Sequence, residues 1–299
     1  ECKTPAEVAR LKILDPACGS GNFLLGAYTA LIHWHEAYYG EKEQLTRRDR
    51  EAAYYDSDGR VRLTARLKRQ ILLNNLYGVD IDAQAVEVTR FSLSLKALED
   101  TRRAELYEER TLFQQTVLPD LRQNIKCGNS LIASDFSLLV DDIIRLHTFD
   151  WEIQFPKITK AGGFNAVIGN PPWGAELEAQ VLKYLSTRFA RVVQRMIDSY
   201  IYFSDLALRL IQKTGYIGLV IPSTVLNQVD AQPLRRLFLN AGLHCVINLG
   251  KDIFTKKVLN TTTLVVTSGG TQPKQMTISD LSALPFTERE STLRKLEPL

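Results

Sequence analysis

Cysteine is scarce in this chain. Four cysteines stand among 299 residues, at positions 2, 18, 127 and 245, and no two have Cys-x-x-Cys spacing. That excludes a disulfide framework and a zinc ribbon, and it is the usage of a reducing compartment. Long apolar runs are missing too: nothing approaches the roughly 18–20 consecutive residues that cross a membrane. Charge of one sign is also lacking. Lys and Arg number 37 against 34 Asp and Glu, for a net charge of +3, so charge alone points to no nucleic-acid or membrane partner. There is no Gly-x-Gly-x-x-Gly and no Gly-Lys-Ser/Thr, which leaves a dinucleotide or P-loop site unsupported. His33-Trp34-His35 is the one dense histidine pair. Residues two apart on a helix point to different sides, so no metal is expected there. The chain has no signal peptide and begins at Glu1 rather than Met, which reads as a piece of a longer, cytoplasmic protein.

What is present is alternation. Short apolar, β-branched segments bounded by turn residues recur at 11–15, 76–81, 124–127, 164–169, 215–221, 244–249 and 262–267. They predict seven strands. Helical periodicity fills 21–39, 62–75, 83–98, 176–195, 198–213 and 231–241. Strand-helix alternation predicts an α/β, Rossmann-like, seven-stranded and mainly parallel sheet with helices on both faces. The last two strands have only the loop 250–261 between them, which predicts an antiparallel hairpin at one edge. Residues 40–62 and 101–123 interrupt the alternation and read as insertions, the first with a turn or small hairpin at Tyr54–Gly59. Arg and Lys crowd 42–69 and 183–195 and recur at Arg235, Arg236, Lys251, Lys256 and Lys257. A solvated helix face accounts for the first cluster. A catalytic domain is expected over 1–267. Ser268-Gly269-Gly270-Thr271-Gln272-Pro273 opens a linker in a 268–299 tail.

Four constellations fall at carboxyl ends of predicted strands, where open parallel sheets bind ligands. Asp15-Pro16-Ala17-Cys18-Gly19-Ser20-Gly21 follows the first strand and precedes an apolar helix. Its glycines let the backbone approach a ligand, and the helix N-terminus points N–H groups into the same crevice. Asp80, in Gly78-Val79-Asp80-Ile81-Asp82, is placed to accept two ribose hydroxyls, whereas Asp82 fits a helix N-cap. Asn129, in Cys127-Gly128-Asn129-Ser130-Leu131, could bond an adenine edge or simply form a turn. Asn170-Pro171-Pro172-Trp173 ends the fourth strand. Its prolines fix φ and remove two donors, which leaves one amide side chain, free carbonyls and an aromatic face. Such a turn suits a flat molecule with an exocyclic amine, although a Pro-rich loop with a packed Trp would look the same.

Taken together and in this order, these motifs resemble the adenine-N6 DNA methyltransferases of bacterial restriction-modification systems. The motif order is that of their gamma class, which includes fused restriction-methylation enzymes, and the resemblance runs over about 11–267. It implies S-adenosylmethionine as cofactor. Asp15, Pro16, Ala17, Cys18, Gly19, Gly21, Asn22 and Phe23 would wrap its methionine part. Asp80 would hold the ribose, with Ile81 against the cofactor's adenine. Asn129, followed by Ser130 and Leu131, would read that adenine through its amide oxygen. Asp198-Ser199-Tyr200-Ile201-Tyr202-Phe203 matches the fifth motif, with Phe203 as a pocket wall. Asn170, Pro171, Pro172 and Trp173 would hold a flipped adenine of double-stranded DNA, and Phe254 would pack on its other side. The resemblance further implies a target-recognition region beginning in the tail, and a nuclease domain in fused members. The family's cofactor-closing helix is expected upstream, because Thr4-Pro5 stands too close to the first strand to carry it. Alternative acceptors are a protein glutamine amide and a ribosomal RNA guanine amine. A non-catalytic DNA-binding core is the alternative of another class.

Overall fold

The computed structural model describes residues 2–99, 118–137, 139–174, 176–193, 198–251, 253 and 261–295. They form two compact units, Glu1–Gly128 and Asn129–Leu299.

The first unit opens with a single turn, α1 (Pro5–Val8). Thr4 and Glu7 make a reciprocal capping box around it, which the sequence reading passed over. Then come β1 (Ile13–Asp15), α2 (Asn22–Gly40), the antiparallel hairpin β2 (Ala53–Tyr55) and β3 (Val61–Leu63), α3 (Ala65–Asn75), β4 (Leu76–Asp80), α4 (Ala83–Leu98) and β5 (Ile125–Cys127). β4 lies between β1 and β5 and is parallel to both. Its register sets Gly78 opposite Asp15 and Asp80 opposite Cys127. The hairpin is no loose appendage, since Ala53 and Leu63 are buried in the same core as Leu24, Tyr28 and Leu72. Two buried asparagines hold the strand entrances. Asn75 Nδ2 donates to the carbonyls of Val8 (2.7 Å) and Leu11 (2.8 Å), and Asn124 Nδ2 to those of Leu73 and Leu76 (both 2.9 Å). His33 is exposed on α2, whereas His35 is buried with Nδ1 against Leu31 O, so the two rings face different sides.

The second unit contains β6 (Phe164–Gly169), α5 (Ala179–Arg188), α6 (Ser199–Leu210), β7 (Ile211–Pro222), α7 (Gln232–Gly242), β8 (Leu243–Gly250), β9 (Thr262–Ser268), β10 (Thr277–Asp280) and α8 (Phe286–Lys295). Its strand order is β10-β8-β9-β7-β6. β6 runs parallel to β7 and β10 parallel to β8, while β9 is antiparallel to both β7 and β8. α6 packs on β7 and α7 on β9. Phe149, Trp151, Phe155 and Phe164 form an aromatic cluster at the start of β6, with centroids 5.0–6.3 Å apart.

The α/β class is as expected, with two corrections. Apart from the β2/β3 hairpin, the described strands number eight rather than the seven expected, three (β1, β4, β5) in the first unit and five in the second, the additional one being β10. The β8/β9 pair is antiparallel but does not form the edge, because β9 lies between β7 and β8 and β10 pairs outside β8. Thr277-Ile278-Ser279-Asp280 has too little apolar character to register as a strand, and Ile278 is exposed. It is held mainly by backbone pairing with β8, and a short polar strand is a good guard for a sheet edge.

Candidate functional site

In the first unit, β1 delivers Asp15 into the interior at 1% exposure. Its Oδ1 accepts the Ala17 N–H at 3.1 Å. Burial raises the Asp15 carboxyl from 3.8 to about 7; the Ala17 N–H opposes the rise and the negative Asp80 adds to it. Burial likewise pushes the Cys18 thiol well up, reinforced by both carboxylates, so Cys18 is a packing group. The loop then wraps onto β4. Cys18 N donates to Val79 O at 3.0 Å, Gly19 N to Asp80 Oδ2 at 2.7 Å, and Thr89 Oγ1 on α4 to Gly19 O at 2.7 Å. Gly21 has φ 86°, and a Cβ there would lie 2.8 Å from Thr89 Cγ2, so both conformation and space demand glycine. Asn22 and Phe23 open α2, the first exposed and the second half-buried, while Pro16 in the loop is buried.

Asp80 is half-exposed at the end of β4. Its Oδ2 faces the glycine loop and its Oδ1 accepts Asp82 N at 3.0 Å. Asp82 caps α4 through Gln84 N at 2.8 Å, the N-cap role expected of it. Ile81, 52% exposed, presents an apolar surface beside this carboxylate. The unit thus offers a backbone cradle, a carboxylate and an apolar face together. The half-exposed Asp80 carboxylate beside the solvent-facing Ile81 is a donor set compatible in its chemistry with a nucleoside, whereas the bare Gly21 makes room for Thr89.

The second unit begins at Asn129, whose backbone N–H donates to His147 O at 2.6 Å and whose Oδ1 accepts Leu131 N at 3.1 Å. This side-chain turn uses one lone pair of the oxygen that the resemblance assigns to adenine. Ser130 and Leu131 are buried, and Trp151 Nε1 donates to Ser130 O at 3.0 Å. Phe203 is buried on α6.

β6 carries the Asn-Pro-Pro-Trp turn at its carboxyl end. Pro171 is buried, Pro172 exposed and Trp173 half-buried. The Asn170 side-chain oxygen is shut off from solvent and has no hydrogen-bond partner among the described residues. An acceptor in that state costs about 1–3 kcal/mol until a donor reaches it. The rest of the turn is pinned. Ser199 Oγ donates to Pro172 O at 2.6 Å, and Gly174 N donates to Asp198 Oδ1 at 2.8 Å. Phe254 lies outside the described residues.

Asp15 to Phe23, Asp80 and Ile81 therefore share the first unit, while Asn129 to Leu131, Asn170 to Trp173 and Phe203 share the second. Sequence reasoning missed Thr89, whose contact with Gly19 spans 70 positions and leaves no local signal. The contacts of Asp198 and Ser199 with the turn span 24 and 27 positions and likewise leave no local signal.

Comparison with known proteins follows the same lines. The family model described as Eco57I restriction-modification methylase matches residues 74–254. The type II restriction enzyme and methyltransferase RM.Eco57I of Escherichia coli is 30% identical over 273 residues, which is 87% of this chain and 25% of that protein. The adenine-specific methyltransferase PglX of Streptomyces coelicolor is 28% identical over 167 residues, covering 54% of this chain and 12% of that one. This chain thus spans a quarter or less of these relatives' lengths. Among solved structures, a nuclease-deletion mutant of the Type ISP restriction-modification enzyme LlaGI, in complex with a DNA substrate mimic, has the same fold. Its TM-score is 0.62 at 15% identity, over 96% of this chain and 23% of that one. No helix among the described residues is long and apolar enough to cross a membrane. The methylase resemblance drawn from the four motifs is borne out: with the model matching more than half of its length, the chain belongs to the Eco57I restriction-modification methylase family.

Proposed function

We propose that this chain is the catalytic core of a DNA methyltransferase that methylates the N6 amine of a flipped-out adenine, using S-adenosylmethionine. The observation that carries the reading is the buried, unpartnered Asn170 Oδ1 at the end of β6. Of the turn's carbonyls, Pro172 O is taken by Ser199, whereas Pro171 O has no donor among the described residues. Asn170 Oδ1 and Pro171 O are thus two acceptors for the two protons of a primary amine. Accepting both shifts electron density onto the nitrogen and fixes the direction of its lone pair. Trp173 offers the base a stacking surface. When bound, the cofactor supplies a methyl group activated by a sulfonium. Asp80 would accept its ribose hydroxyls, Ile81 would cover its adenine, and the Asp15–Gly21 loop would enclose its methionine part. In transfer the amine nitrogen would displace the sulfonium sulfur from the methyl carbon, leaving a neutral thioether, and would give up one of its two protons, with positioning as the main contribution of the protein. An adenine stacked in a duplex cannot enter such a pocket, so it must leave the helix first. The similarity to PglX, an adenine-specific methyltransferase, supports this choice of acceptor over a guanine or glutamine amine.

The test is transfer of labelled methyl by the full-length protein to DNA, ribosomal RNA and protein, followed by nucleoside and amino-acid analysis. N6-methyladenine in DNA is the expected product. Labelled protein or RNA with unlabelled DNA overturns the reading. Asn170→Ala should lower turnover at least about 100-fold, the scale of losing one well-placed polar contact to the reacting group, while cofactor affinity stays within about twofold.

A further inference from the structure

We infer that Asp198 and Ser199 form a two-point clamp that aims Trp173, making them positioning residues for the acceptor base. The inference rests on the function proposed above. The two prolines fix φ at 171 and 172, but nothing in the turn's own sequence fixes the residue after them. The direction in which the Trp173 side chain leaves the backbone depends on the two peptide planes that flank it, because each residue has only two soft backbone dihedrals. Both planes are held from α6. The preceding plane is held through Pro172 O, which accepts Ser199 Oγ at 2.6 Å. The following plane is held through Gly174 N, which donates to Asp198 Oδ1 at 2.8 Å. The Ser199 hydroxyl also lies 3.3 Å from Asp198 Oδ1, so the two clamp groups are neighbours.

The anchor is rigid. Ser199 is 2% exposed, and Tyr200, Ile201, Tyr202, Leu206 and Ala207 bury α6 along most of its length. Asp198 also breaks a local rule in a way that serves the turn. It is the N-cap residue of α6, yet its side chain makes no capping bond to that helix. An aspartate there would ordinarily accept a first-turn N–H. Its carboxylate is turned instead to the residue after Trp173. The prolines therefore stiffen the Asn170 side of the turn, and α6 stiffens the aromatic side.

The test compares Ser199→Ala, Asp198→Ala and the double variant with the conservative Ser199→Thr and Asp198→Asn in the full-length protein. The alanine variants should lose about 10–100-fold in kcat, the scale of an ångström-sized misplacement, with KM for S-adenosylmethionine within twofold of wild type. The conservative variants keep the acceptor or hydroxyl and should recover most of the loss. The double variant should be little worse than the poorer single, because both bonds hold one residue. With 2-aminopurine at the target position, emission from the complex should be brighter in the alanine variants, and a Trp173→Ala background should erase that difference. A crystal structure of Ser199→Ala should show the Trp173 ring displaced.

Wild-type kcat in both alanine variants overturns the clamp, as does a parallel loss of melting temperature and cofactor affinity. A wild-type protein that labels protein or RNA but not DNA sinks the adenine reading instead. In that case an unmoved Trp173 in the Ser199→Ala crystal still overturns the clamp, and a displaced one upholds it.

Discussion

Asp15 should make the first unit lose stability as pH rises. The group is buried at 1% exposure, and its carboxyl is raised from 3.8 to about 7. Below pH 4 it is protonated in both folded and unfolded chains and carries no penalty. Between pH 4 and 7 the unfolded chain ionises while the folded one stays neutral, so the folded state binds more protons and its stability falls with pH. Above pH 7 both states are ionised and the full penalty applies. At about 1.4 kcal/mol for each pH unit the rise corresponds to roughly 4 kcal/mol. Asp15→Asn keeps the shape and an oxygen for the Ala17 N–H while removing the ionisation. The variant should match wild type within about 1 kcal/mol at pH 4 and exceed it by up to about 4 kcal/mol at pH 8. Urea unfolding followed by Trp34 fluorescence, in a Trp151→Phe, Trp173→Phe background, reports on this unit alone. A difference that stays constant from pH 4 to 8, or that grows in favour of wild type, would refute the reasoning. On the proposed function, a cationic cofactor should bind wild type more tightly as pH rises through 7, a dependence the variant should lack.

The remaining predictions follow from single contacts. Gly21→Ala meets both a φ of 86° and a methyl 2.8 Å from Thr89 Cγ2. It should cost about 2 kcal/mol or more and weaken cofactor binding in calorimetry, with Thr89→Ala restoring part of the loss. Arg289 on α8 donates to the carbonyls of Leu249 (2.9 Å), Lys251 (2.6 Å), Leu284 (2.8 Å) and Ser282 (3.2 Å). Arg289→Ala should therefore cost about 1–3 kcal/mol and speed hydrogen exchange in β10 before any other strand of its unit. Trp151→Phe leaves Ser130 O without its indole donor and should lower the melting temperature by a few degrees, about 1 kcal/mol.

The parts of the fold legible in the chain were those with local causes. Leu76–Asp80 and Phe164–Gly169 are apolar runs closed by turn residues. Their chemistry sits at the strand ends, within a few positions of the pattern that reveals them. β10 was illegible because it contributes backbone bonds and almost no buried side chain. The small hairpin expected at Tyr54–Gly59 formed, but that Ala53 and Leu63 enter the core could not be read, because that core includes Leu24 and Tyr28 of α2, which stand 25 or more positions earlier in the chain. The capping of α1 by Thr4 and Glu7 is a local signal, written in the Thr-x-x-Glu spacing itself.

The same division runs through the candidate site. The order of amino acids by itself determined which groups are offered. These are a glycine cradle closed by Gly21, a strand-end carboxylate at Asp80, and an amide followed by two prolines and an aromatic ring, all written in contiguous residues. Tertiary structure decided the state of those groups. Burial holds Asp15 near neutrality and shuts Asn170 Oδ1 away from solvent. A serine and an aspartate 27 and 24 residues downstream pin the two peptides around Trp173. The physical reason is range. Backbone conformation and residue type are set by near neighbours, whereas desolvation and the partnering of a particular oxygen depend on which distant segments the folded chain brings against it.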